Sequence, residues 1–151
     1  MRLSLAGLVF VGLLGCPING PAAGSPDFTE IRIESHPRGW GYAHKTVKPD
    51  GSITGGHMSG RAGAPRVFES TLQVTPQDMS TLRALVGTVV SEPTNEKVSL
   101  PDQKLEGYTS VVIALRDGTA TTAYAKRGQR FRSKSIQTIW DILSNYRAGA
   151  W

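Results

Sequence analysis

Three histidines, His36, His44 and His57, lie close together early in the chain, with His36 and His44 at the facing ends of a prospective hairpin. Imidazole nitrogens ligate zinc and related ions, so the trio is the beginning of a metal site. No Asp, Glu or Cys completes a ligand set at recognisable spacing, and the three read as unconnected surface histidines, with a metal-dependent enzyme as the alternative. Ser59 follows Gly55-Gly56-His57-Met58, but a nucleophile elbow requires glycine where this chain has His57 and Arg61. The same glycines lack the Gly-Lys-Ser/Thr ending of a phosphate loop. No catalytic residue is assigned. Lys126, Arg127, Arg130, Arg132 and Lys134 precede a helix start, where cations and free backbone N–H groups could converge on one anion; a solvated basic loop is the plainer reading. Trp40 and Tyr42, beside Gly39 and Gly41, are either an aromatic platform for sugar or peptide or the edge of a core.

The remaining reactive side chain is Cys16, the single cysteine of the sequence. It cannot be half of an intramolecular disulfide, so the domain must be stable without one. Ahead of it stand Arg2, the apolar run Leu5 to Leu14, and no acidic residue before Asp27. This is the layout of an export signal. The run is too short for a membrane-spanning helix, which needs roughly 20 residues. Leu13-Leu14-Gly15-Cys16 resembles the lipobox of bacterial lipoproteins, with Leu13, Leu14 and Gly15 as the signal-peptidase recognition residues. The resemblance implies cleavage after Gly15, a diacylglycerol on the Cys16 sulfur and a further acyl chain, typically palmitate, on the new amino group. Several chains anchor stably where one does not. It also implies a place in the cell envelope, on the periplasmic side of the outer membrane in a Gram-negative cell. An ordinary secretory peptide, cut near Ala22-Ala23-Gly24, is the alternative. No cofactor is expected beyond the covalent lipid.

The 151 residues suit one domain behind an export segment. Hydrophobic residues make up 39% and charged residues 19%, which allows a real core and argues against a disordered chain. The formal net charge of +5 favours anionic partners such as an envelope polymer or an acidic protein. Nucleic acid is not expected for an exported lipoprotein.

The expected organisation is a signal peptide over 1–15, a flexible Pro/Gly/Ala/Ser tether over 16–27 and one domain over 28–151. Alternation from Phe28 to Glu34 predicts a strand, followed by strands over 40–48 and 66–74. The glycine-rich stretch 52–63 reads as a loop. Thr75-Pro76-Gln77-Asp78 is a helix start, combining a capping hydroxyl, proline at the first position and an acid at the positive end of the dipole. That helix is expected over 76–90. Tyr108 to Leu115 and Thr119 to Lys126 flank Asp117-Gly118 as a hairpin with a two-residue turn. Ser133 or Ser135 then caps a last helix presenting Ile136, Ile139, Trp140, Leu143 and Tyr146 on one face. The sum is an α+β fold in which an antiparallel sheet of about five strands is covered on one face by two amphipathic helices, in the order βββα-ββα.

Strand pairs with a short Asp-Gly turn, a capped helix and a closing terminal helix, spread over Phe28 to Tyr146, are similar to small bacterial metallopeptidase inhibitors of the emfourin type. That resemblance implies a proteinaceous inhibitor of a secreted metallopeptidase. The residues themselves favour an envelope-anchored lipoprotein with a non-catalytic binding domain, touching an anionic envelope polymer or a protein partner.

Overall fold

A computed structural model describes residues 27–37, 41–59, 66–92 and 107–146. The expected signal segment, Cys16, most of the expected tether, Trp40, Arg61 and most of the 92–106 connection lie outside the described residues. The elements are β1 (Phe28–His36), β2 (Gly41–Val47), β3 (Ser52–Ser59), β4 (Arg66–Gln73), α1 (Pro76–Ser91), β5 (Tyr108–Leu115), β6 (Ala120–Lys126) and α2 (Lys134–Asn145). The fold is α+β, and among the described residues its sheet has six antiparallel strands in the order β4-β3-β2-β1-β5-β6.

The strand absent from the sequence-based expectation is β3. Its Gly55 and Gly56 have low strand propensity, but pairing on both sides overrides it. Gly55 lies opposite Lys45 and Gly56 opposite His44, so the large side chains of β2 face backbone there. The β2–β3 turn fits the sequence: Gly51 adopts φ 83° and Asp50 Oδ1 accepts from Ser52 N at 2.9 Å. The β5–β6 turn is one residue longer than expected. Leu115 N donates to Thr119 O at 2.8 Å and Gly118 N to Leu115 O at 3.1 Å, leaving Arg116, Asp117 and Gly118 as the loop. Gly118, at φ 85°, supplies the left-handed residue such a three-residue connection needs.

Side-chain alternation divides the sheet into two faces. Ile31, Ile33, Val47, Ile53, Val111 and Ile113 lie on one, buried beneath Met79, Leu82, Val86 and Val89 of α1 and Ile136, Ile139 and Leu143 of α2. Burying each of these side chains contributes about 1.5–3 kcal/mol. Thr75 caps α1 by accepting from Asp78 N at 3.2 Å, and Ser133 caps α2 by accepting from Ile136 N at 3.3 Å. No helix among the described residues is long and apolar enough to cross a membrane.

Lys45 is the exception on the apolar face. It is 1% exposed, and its ammonium donates to Leu143 O at 2.8 Å and to Tyr146 O. These carbonyls belong to the last turn of α2, which has no basic residue of its own. A buried cation thus satisfies the negative end of the terminal helix from the sheet below. Burial pushes the Lys45 amine down to about 8.

Tyr146 closes the layer from its other end. Its hydroxyl accepts from Thr75 N at 2.9 Å and donates to the Asp78 carboxylate, joining the end of α2 to the start of α1. Tyr146→Phe removes both bonds while keeping the ring. It is expected to cost about 1–2 kcal/mol in chemical denaturation, with the sheet content unchanged by circular dichroism.

Candidate functional site

The sheet face opposite the helices is built from the even-numbered residues of β1, β2, β5 and β6. β1 supplies Glu30, Arg32, Glu34 and His36, which pair across the strands with Ala114, Val112, Ser110 and Tyr108 of β5. β2 supplies Tyr42, His44 and Thr46, and β6 supplies Thr122, Tyr124 and Lys126. Apolar residues are sparse on this face, and its polar groups converge on Glu34.

Glu34 Oε2 accepts from Ser110 Oγ at 2.8 Å and lies 3.3 Å from His36 Nε2. Oε1 accepts from the Tyr42 hydroxyl at 3.2 Å. Arg32 Nε stands 3.4 Å from Oε1 as an ion pair, but it is not aligned to donate and is left as a buried donor without an acceptor. Burial opposes ionisation of Glu34, yet the Ser110 and His36 hydrogen bonds and the Arg32 charge outweigh it, holding the carboxyl below the usual glutamate range. Burial, reinforced by the Glu34 charge, raises the Tyr42 phenol to about 12. Burial, then Arg32, lower His44, so its ring is neutral at neutral pH.

Around this carboxylate five rings form a ladder across four strands. Centroids are 5.1 Å apart for His44 and Tyr42, 4.9 Å for Tyr42 and His36, 4.2 Å for His36 and Tyr108, and 5.8 Å for Tyr108 and Tyr124. His36 and Tyr108 stack within 18° of parallel, and Tyr124 meets Tyr108 edge-on. Ring faces occupied by neighbouring rings are not offered to a ligand. His36 and Tyr108 are buried in the middle of the ladder, while Tyr42, His44 and Tyr124 are half-buried and the Arg32 side chain is 37% exposed. That arrangement suits hydrogen-bonded recognition better than flat stacking on a sugar. It also gives poor acid–base machinery: a carboxylate held below its ordinary range is a weak base, and Ser110 gives its proton to Glu34, not to a histidine.

The three histidines do not meet. His36 and His44 share the ladder, whereas His57 pairs with Ala43, a residue in phase with Lys45 and Val47, and therefore lies on the opposite face. Among the described residues no group of three or more His, Cys, Asp or Glu is placed to hold a metal ion. Of the aromatic pair, Tyr42 is in the ladder.

The basic residues Lys126, Arg127, Arg130, Arg132 and Lys134 are all exposed around the β6–α2 turn. Arg130 pairs with Asp141 at 3.5 Å. The start of α2 already holds a carboxylate, because Glu92 accepts from the hydroxyls of Ser133 at 3.1 Å and Ser135 at 3.3 Å. Sequence reasoning did not single out Glu34, Arg32, Ser110, Tyr108 or Tyr124. Strand parity was the available signal: Arg32, Glu34 and His36 alternate on one face of β1 while Tyr42 and His44 do so on β2.

No family model matches the chain, and no curated relative or solved structure matches it.

Proposed function

We propose that the chain is a bacterial envelope lipoprotein, anchored through acylated Cys16, whose domain is a non-catalytic module that binds a protein partner through the Glu34-centred face. The observation that carries the reading is the ring ladder with its fixed carboxylate and guanidinium. Tyr and Arg are the side chains enriched where protein interfaces concentrate their energy, and here their orientations are set before any partner arrives. The lipobox resemblance and the tether composition support the anchor. The basic turn beside the site favours an acidic partner or one seated near anionic head groups.

Two measurements test the two halves. Mass spectrometry of the N-terminus from membranes should find diacylglyceryl Cys16, with a soluble chain from Cys16→Ser; an unlipidated, soluble wild type removes the anchor. For the face, in-cell crosslinking through the full-length chain should identify a partner whose affinity falls about 30-fold or more in Tyr42→Ala/Tyr124→Ala, the loss typical of interface hot spots. A partner bound equally well by that folded double variant would remove the face. Inhibition of a thermolysin-like protease at micromolar chain, lost in the same variant, would identify the partner as a secreted metallopeptidase.

A further inference from the structure

Among the described residues β6 has no neighbour on its outer side. In an antiparallel pair, residues alternate between those whose backbone bonds to the partner strand and those whose N–H and C=O point away. Leu115 N donates to Thr119 O and Arg127 N to Gly107 O, so the odd-numbered residues of β6 bond to β5. Ala120, Thr122 and Tyr124 therefore direct three N–H and three C=O groups outward along a seven-residue strand, while the Lys126 carbonyl accepts from Gln129 N at 2.9 Å. Natural sheets blunt such edges with proline, bulges or charges. β6, Ala-Thr-Thr-Ala-Tyr-Ala-Lys, has no proline, pairs with β5 without a register shift and carries one charge, at its very end.

We infer that this edge pairs with the β6 edge of a second copy of the chain, about a two-fold axis at Ala123, joining two sheets into one of twelve strands. The register centred on Ala123 makes its complete reciprocal backbone pairs between Thr122 and Tyr124. It sets Thr122 opposite Tyr124 twice, an aromatic and β-branched pairing that stabilises sheets. Lys126 falls opposite Ala120, so no cation meets its own copy. Continuing the register past the strand ends carries the exposed Arg127 of each copy opposite Thr119 of the other, next to the exposed Asp117 at the hairpin tip. Charge complementarity thus flanks the join on both sides. Tyr124 is also the last ring of the ladder, so the union makes the two recognition faces continuous.

Ala123 stands opposite its own copy in a pair without direct hydrogen bonds, where Cα atoms approach to about 4.5 Å. In the full chain with Cys16→Ser, Ala123→Cys is expected to oxidise to a disulfide-linked dimer. Ala120→Cys is expected to stay reduced, since the two copies of residue 120 stand roughly 20 Å apart. Thr122→Pro deletes only an outward donor, and in sedimentation it should weaken the dimer at least tenfold with an unchanged circular dichroism spectrum. A wild-type chain that remains monomeric at 100 μM (about a hundredfold above a micromolar constant), equal crosslinking at 120 and 123, or a folded Thr122→Pro chain that dimerises like wild type each overturns the inference. If Thr122→Pro unfolds, the contrast between the two cysteine positions decides.

Discussion

Lys45→Met is expected to lower the free energy of unfolding by about 2 kcal/mol at neutral pH, measured by chemical denaturation. The methionine keeps the aliphatic stem within the layer, so the loss comes from the Leu143 and Tyr146 carbonyls, which no longer receive an ammonium donor. The pH dependence of the difference reports the cost of burying the charge. Lys45 titrates near 8 in the folded chain against an ordinary 10.5, so between those values the unfolded chain binds more protons and stability rises with pH. The advantage of wild type over Lys45→Met should therefore widen from pH 8 to 10.5, by no more than about 3 kcal/mol. A difference that is flat or narrows across that window would show that Lys45 does not titrate as a buried amine.

Glu34→Gln is the second large effect, expected at about 1–2 kcal/mol because Ser110, which is fully buried, and Tyr42 lose a charged acceptor and Arg32 loses its counter-ion. Glu34 titrates below its ordinary 4.5 when folded, so its contribution is fully present above 4.5 and disappears as pH falls through the lower folded value. The gap between wild type and Glu34→Gln should accordingly be constant from pH 5 to 7 and close in acid. A gap that persists at pH 2 would assign the cost to packing and not to charge.

The parts of the fold that sequence reasoning reached are those governed by local rules. Pro76 and Thr75 announce α1 because capping and a fixed φ act within one turn, and Ser133 does the same for α2. β3 was missed because its glycines are explained only by what lies across the sheet, at Lys45 and His44. The site was hidden for the same reason. Glu34 and Ser110 are 76 residues apart, and nothing near either one indicates the other. His36 and His44 read from the sequence as unconnected surface histidines, whereas the structure sets both in one row of rings around Glu34. The basic loop, whose plainer reading from the sequence is a solvated turn, shows the reverse case: its charges are exposed, and the helix start beneath them holds Glu92.

The central position of β1 also governs the order of assembly. β1 is among the first elements of the chain, yet one of its two neighbours is β5, and the helix end fastened by Lys45 lies 98 residues downstream of that lysine. A chain delivered from its N-terminus, by a ribosome or through a translocation channel, first completes only the β1–β4 half, with β1 as a bare edge and the ground beneath α2 uncovered. Closure waits for the final helix. Folding of this domain is therefore completed only once α2 is available, and its rate should be slow for its size because so many contacts join distant parts of the sequence.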